Sequence, residues 1–195
     1  MAKTAAILRE TGETRIKLSI DLEGSGKRKI STGIPFFNHM LDLFSAHGFF
    51  DLEIDATGDI EVDFHHTVED VGIVLGDAVN SALGDKKGIK RYGHAVTPMD
   101  ETLTSVSMDV SNRPFLVFNV PEKIYVKGPF DVYLAKEFFR AFAGRAGITL
   151  HINVHYGENE HHIIESIFKA CGRALSEASS KDDRISGVRS TKGVI

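Results

Sequence analysis

The chain has 195 residues, 42% hydrophobic and 26% charged, the make-up of an ordinary globular protein with apolar material for a sizeable core. Its formal net charge of −4 offers no general attraction to nucleic acid or an anionic membrane. A single cysteine excludes an intramolecular disulfide, and no stretch approaches the roughly 20 apolar residues of a membrane span.

The amino-terminal segment is strand-like and charged, without the apolar core of a signal peptide, so a cytoplasmic protein is expected. Alternation over Arg15–Leu22 predicts a half-buried strand, turned by Gly24, Ser25 and Gly26. The basic Lys27-Arg28-Lys29 reads as a solvated turn. Phe36, Phe37, Met40, Leu41, Leu43 and Phe44 predict a helix from Pro35 to His47, ended by Gly48. A strand follows over Phe49–Thr57, and apolar spacing from His65 to about Leu83 predicts a second helix before Gly84. Lys86-Lys87 reads as another solvated turn.

The second half repeats this order. Strands are expected over 103–110 and Phe115–Val120, a helix over Val132–Ala143, a strand over Ile148–Val154 and a helix over His161–Ala178. Cys171 falls on the apolar run of that last helix, where a small buried thiol is expected. Helices and strands mixed without a strict βαβ rhythm argue for an α+β fold.

The repeat reaches individual residues. His65-His66-Thr-Val-Glu69 through Ala78 aligns without gaps on His161-His162-Ile-Ile-Glu165 through Ala174, and Leu52 and Ile54 on Leu150 and Ile152. The chain is therefore expected to be an internally duplicated unit, residues 1–93 and 94–195, packed about a pseudo-dyad.

Residues four apart share a helix face, so His65 and Glu69 point together, as do His161 and Glu165. Adjacent residues diverge by about 100°, so His65 and His66 serve different ions if they serve any. Two such helices supply four imidazoles and two carboxylates. Imidazole mixed with carboxylate, with no thiolate, suits Mn²⁺, Fe²⁺ or Zn²⁺. The order HHxxE does not support a zinc-protease reading.

Segments distributed over nearly the whole chain add specificity: Gly33-Ile-Pro-Phe-Phe-Asn-His39-Met-Leu-Asp42, His47-Gly48, Asp63 to Asp70, Pro98-Met-Asp-Glu101, Ser111-Asn-Arg113-Pro114, Thr149-Leu-His151, Gly157 to His162 and Ser190-Thr-Lys192-Gly193. In this order and spacing the sequence resembles the imidazoleglycerol-phosphate dehydratase family of histidine biosynthesis. The resemblance implies two helices packed on a four-stranded sheet in each half. It also implies a cubic assembly of 24 subunits with active sites at subunit interfaces, and two Mn²⁺ per site. By analogy the metal ligands are His39, His65, His66, Glu69, His161, His162 and Glu165. Positions matching substrate contacts are Glu13, His39, His47, Arg91, Arg113, Lys169, Ser190, Thr191 and Lys192. On spacing alone, Arg91 reads as a surface charge and Lys169 as an exposed helix residue.

The implied reaction removes water from a dihydroxypropyl phosphate chain attached to an imidazole ring. The proton lost is not next to a carbonyl, whereas the hydroxyl leaves from the carbon on the ring. Two divalent cations acting as Lewis acids would stabilise the ring as an anion, whose electrons could then expel the hydroxyl. Glu13 is the candidate base, because metal-bound glutamates are poorer proton acceptors. His47 or His151 is the candidate for the leaving hydroxyl, and the arginines and lysines suit phosphate.

Laying His39-Met-Leu-Asp-Leu-Phe44 over Glu137-Phe-Phe-Arg-Ala-Phe142 sets Glu137 opposite His39, where several relatives carry a histidine. Glu137 is thus an expected metal ligand of the second half. The competing readings are a non-catalytic metal-binding oligomer, which has no need of Arg91, Arg113 and Lys192 together, and a dinuclear metallohydrolase.

Overall fold

In the computed structural model the described residues are 3–121 and 128–195. The first half runs β1 (Thr4–Glu10), β2 (Thr14–Asp21), β3 (Arg28–Ser31), α1 (Pro35–Gly48), β4 (Asp51–Gly58) and α2 (His65–Leu83). The second runs β5 (Tyr92–Met99), β6 (Thr102–Val110), β7 (Phe115–Asn119), α3 (Val132–Ala146), β8 (Ile148–Tyr156) and α4 (Glu160–Ser179). The four-stranded sheets have orders β1-β2-β4-β3 and β5-β6-β8-β7. In each, the last pair is parallel and the others antiparallel. The duplication is therefore complete in topology, and the fold is α+β as expected.

Strand alternation puts one face of each sheet into the core. Ile16, Leu18 and Ile20 pair with Ala56, Ile54 and Leu52 on β4, all buried. Val106, Met108 and Val110 pair likewise with Ile152, Leu150 and Ile148 on β8. Over these faces lie the helices, which cross between halves, α1 against α4 and α2 against α3. Phenylalanine rings join the halves: Phe37 meets Phe138 edge-on at 5.4 Å and Phe168 edge-on at 6.4 Å. One buried cluster spans both halves, and β5 starts at Tyr92, just before the expected division at 93 and 94.

Two strands escaped the sequence. β3 is a short edge strand with a single apolar residue, so Arg28 and Lys29 begin a strand parallel to β4 rather than lying in a turn. β5 contains Gly93 and Pro98, which read as breakers. Gly93 is needed there because a Cβ would lie 1.9 Å from the Ala174 carbonyl oxygen. Two further expectations are corrected. Lys86 is buried, its ammonium donating to Asn112 Oδ1, instead of lying in a solvated turn. The left-handed residue closing α1 is Phe49, at φ 59°, while Gly48 makes room for the Phe50 ring. Cys171 is fully buried on α4, and burial holds its thiol well above the ordinary value. Among the described residues no helix is long and apolar enough to cross a membrane.

The helix crossings use glycines at matched positions. A Cβ on Gly76 would lie 2.7 Å from the Phe142 carbonyl oxygen, and one on Gly172 would lie 2.3 Å from that of Phe44. Gly172→Ala should therefore cost about 1–3 kcal/mol by overpacking. Exposed Gly144, with open space where its Cβ would go, is the control: Gly144→Ala should gain about 0.5–1 kcal/mol. Urea unfolding of the two variants should displace the midpoint in opposite directions.

Candidate metal centre and anion cleft

Both HHxxE motifs open a helix, and each is fixed by an upstream side chain. Asp63 Oδ1 accepts from the His65 amide at 2.7 Å, and Asn159 Oδ1 from the His161 amide at 3.0 Å. One turn on, His65 Nε2 lies 3.3 Å from Glu69 Oε2, and His161 Nε2 lies 3.1 Å from Glu165 Oε2. The adjacent rings diverge as helix geometry requires, with interplanar angles of 85° for His65 and His66 and 77° for His161 and His162.

The α1–α4 crossing brings His39 Nε2 to 3.7 Å from Glu165 Oε2. His39, His161 and Glu165 thus offer ligand atoms within 4.8 Å of one another. This is a pre-gathered imidazole–carboxylate set of the kind a divalent ion takes. Burial alone would raise the Glu165 pKa, but the Lys169 ammonium at 2.5 Å and the nearby imidazoles outweigh it and hold the carboxyl below its usual range.

At the pseudo-equivalent position α3 carries Glu137, buried beside α2. Arg140 pairs with Glu137 and reaches Glu69 Oε1 at 3.3 Å, so both carboxylates face one cation. The alignment that set Glu137 opposite His39 thus brought it to the first motif.

The second histidine of each motif is held at Nδ1 by a carboxylate. His66 Nδ1 lies 2.9 Å from Asp59 Oδ2, and a hydrogen bond there raises the histidine pKa. Glu13, at the β1–β2 turn, comes within 3.8 Å of the same nitrogen. His162 Nδ1 lies 2.7 Å from Glu101 Oε2. That bond, with the amides of Asn159 and Glu158, holds the Glu101 carboxyl down to about 2. An ionised carboxylate can only accept, so a hydrogen bond in either pair needs a proton on Nδ1.

At the other end of β5 an open cleft of about 650 Å³ is lined by Arg91, Tyr92, Arg113, Arg189, Ser190, Thr191, Lys192 and Val194. The expected substrate residues Arg91, Arg113, Ser190, Thr191 and Lys192 therefore come together. Arg91 is buried rather than a surface charge. It donates to Asp109 through Nε at 2.6 Å and Nη2 at 3.0 Å, and to the Arg189 carbonyl at 2.6 Å. Arg189, which sequence reasoning missed, places its guanidinium over the Tyr92 ring at 5.7 Å. The excess of guanidinium and ammonium groups suits a phosphate.

Lys169 lies with Glu165 and away from this cleft, and it is largely buried instead of exposed. His47 ends α1; burial and the cations Lys169 and Arg173 hold its pKa below the ordinary value. His151 is not brought to either place within one chain. It alternates with buried Leu150 and Ile152, so it occupies the outer face of the second sheet, beside Ser107.

Comparison with known proteins gives the family. The family model for imidazoleglycerol-phosphate dehydratase matches residues 32–175. The chain belongs to the imidazoleglycerol-phosphate dehydratase family. The enzyme of that name from Desulfosudis oleivorans is 65% identical over all of both chains. That from Geobacter sulfurreducens is 57% identical over 99% of each. The solved imidazoleglycerol-phosphate dehydratase of Staphylococcus aureus superposes with a TM-score of 0.82 at 41% identity, covering 92% of this chain and 99% of its own. The Pyrococcus furiosus structure gives 0.85 at 38%, covering 97% and 100%.

Within this dehydratase family scaffold, the residues that spacing alone missed are the holders: Asp59, Glu101 and Asp109. The partners of Glu101 and Asp109 lie 61 and 18 residues away, which a local pattern cannot register, and Asp59 reaches His66 from the loop before α2. For Asp109 the consequence is testable. Asp109→Ala leaves the buried Arg91 guanidinium without its carboxylate, at a cost of about 3–5 kcal/mol. It should also loosen the tail at Arg189, so trypsin should cleave there faster in the variant. Unchanged unfolding and cleavage would contradict this account of the cleft.

Proposed function

We infer that this chain is a hydro-lyase that removes water from D-erythro-1-(imidazol-4-yl)glycerol 3-phosphate to give 3-(imidazol-4-yl)-2-oxopropyl phosphate in histidine biosynthesis. Family membership over the whole chain supports the reaction. The single observation that carries the mechanism is the duplicated HHxxE helix start, with one histidine of each pair gathered inward and the other turned away. A cytoplasmic site of action goes with this reading, since substrate and product are charged phosphate esters.

The residues present fit two divalent ions, for which we propose Mn²⁺. His39, His161 and Glu165 would hold one, and Glu137, His65 and Glu69 the other. When bound, the pair supplies Lewis acidity to the imidazole ring of the substrate. His66 and His162 point away from both sets, which suits them to ions held mainly by a neighbouring subunit. A second argument favours shared sites. The anion cleft begins at Arg91 and the His162–Glu101 pair lies past Met99, at opposite ends of β5. Eight strand residues separate them by about 23 Å, at ~3.3 Å per step. A three-carbon phosphate chain cannot span that distance, so the cleft of one chain serves the histidines of another. This supports the closed 24-subunit assembly that we propose.

In the assembled site the cleft arginines and Lys192 hold the phosphate and orient the side chain. Glu13, exposed and outside both ligand sets, takes the proton from carbon. His47, whose imidazolium is a stronger acid than usual, protonates the departing hydroxyl. His151, on the outer sheet face, reaches substrate only from a neighbouring chain. A metal-storage shell would need no cleft of this kind, which is why the catalytic reading is preferred.

Dehydration of imidazoleglycerol phosphate should cease in chelator-treated protein and return on adding Mn²⁺, with the native mass by light scattering falling and recovering in step. Full turnover by demonstrably metal-free protein would overturn the metal assignment. Glu13→Gln should keep fold and metal content while lowering kcat by at least about 100-fold, the common contribution of a general base. A near-normal kcat would remove Glu13 from the reaction.

A further inference from the structure

The duplication makes Glu13 and Glu101 the same residue. Thr14 opens β2 and Thr102 opens β6, and each lines the space where a glycine Cβ would fall, Gly58 in one half and Gly157 in the other. The other neighbour is Thr67 at Gly58 and Ile163 at Gly157, a pair already matched by the HHxxE alignment. Glu13 and Glu101 immediately precede those threonines, each at the tip of the first hairpin of its sheet. Each faces the second histidine of its half, His66 or His162.

They nevertheless do different things. In the first half six residues, 59–64, separate Gly58 from His65, and Asp59 takes His66 Nδ1. Glu13 stays 3.8 Å away. In the second half only three residues, 158–160, separate Gly157 from His161. Glu158, in the place of Asp59, is exposed and contributes its amide instead, donating to Glu101 Oε1 at 3.3 Å. The Asn159 amide donates to the same oxygen at 3.0 Å, and Thr102 Oγ1 donates at 3.1 Å. With Oε1 so occupied, Oε2 faces His162 Nδ1 at 2.7 Å. Asp100 approaches the other ring nitrogen only to 3.8 Å.

We propose that Glu101 is the positioning residue that fixes His162 with its proton on Nδ1 and Nε2 free, the work that Asp59 does for His66, and that this transfer is what leaves Glu13 unheld. The proposal rests on the metal reading above for its consequence, but not for the tautomer itself. Carboxylates behind ligating histidines are a general device, and their loss costs about 10–100-fold in metal affinity.

Glu101→Gln separates this role from a merely structural one. Three donors face Oε1, so the amide oxygen stays there and the NH2 group turns to Nδ1. Nδ1 must then accept, and the proton moves to Nε2, the nitrogen that would ligate. In metal-free protein labelled with ¹⁵N-histidine, long-range correlation spectra should show His162 as the Nδ1–H form in the wild type and the Nε2–H form in Glu101→Gln. His66 should keep its Nδ1–H form in both. Calorimetric titration with Mn²⁺ should show one of two ions bound about 10–100-fold more weakly in the variant. An Nε2–H His162 in the wild type overturns the proposal even if the variant fails to fold. So does a variant with unchanged tautomer and both affinities intact. A wild type with the expected tautomer and no Mn²⁺ binding overturns the metal reading while leaving Glu101 as the holder of His162.

Discussion

At the α1–α4 crossing the Phe44 carbonyl would stand 2.3 Å from any Cβ on residue 172, so the helices lie as close as backbones allow only because Gly172 has none. That approach is what carries His39 over the first turn of α4, where its Nε2 comes 3.7 Å from Glu165. Gly76 performs the same service for α2 under Phe142, and there Glu137 arrives beside Glu69 with Arg140 between them. The candidate ligand sets are thus products of helix–helix distance. Neither helix of a pair carries a complete set, and a small shift in the crossing would separate the groups without unfolding anything.

Electrostatics then divides the molecule. Carboxylates and imidazoles gather at the helix starts, while guanidinium and ammonium groups gather at the far end of β5. In the basic cleft, Arg91 is neutralised by Asp109 and serves as a rigid strut for the tail carbonyl. Arg113 reaches the same Asp109 at 3.5 Å, and Arg189 and Lys192 line the cleft beside it. The substrate carries both a ring that wants cations on its nitrogens and a phosphate that wants cations on its oxygens. A single chain sets these two attractions at opposite ends of one sheet. On the proposed function this separation calls for self-association, and the outward-turned His66 and His162 are the donors it would use.

Much of this was legible in the sequence because it is periodic or repeated. Apolar spacing located all four helices, and the gap-free alignment of the HHxxE helices exposed the duplication. The same alignment led to Glu137, although the offset between halves changes by two residues on the way to the motifs. The structure explains that slip: β8 gains a residue at the bulge near Leu103 and Thr104, and the connection after it is three shorter. What stayed hidden was short or long-range. β3 has too few residues for a period, and β5 is interrupted by a glycine that its packing on α4 demands. Lys86 reads as solvated because its partner Asn112 lies 26 residues on. Asp59, Glu101 and Asp109 are ordinary acids until their partners are placed.

The shortened connection has a consequence for how one half came to differ from the other. A six-residue loop can supply a side chain to hold His66, and it does so with Asp59. A three-residue loop in tight apposition to the hairpin tip supplies backbone amides instead, and these draw the tip carboxylate of Glu101 inward. One loop length thus decides whether the tip glutamate is held or free. A glutamate locked by four donors makes a poor base, since its proton affinity is already satisfied. The asymmetry between two nearly identical halves follows from three residues of loop: Glu101 is held at His162, and Glu13 stays exposed at 3.8 Å from His66.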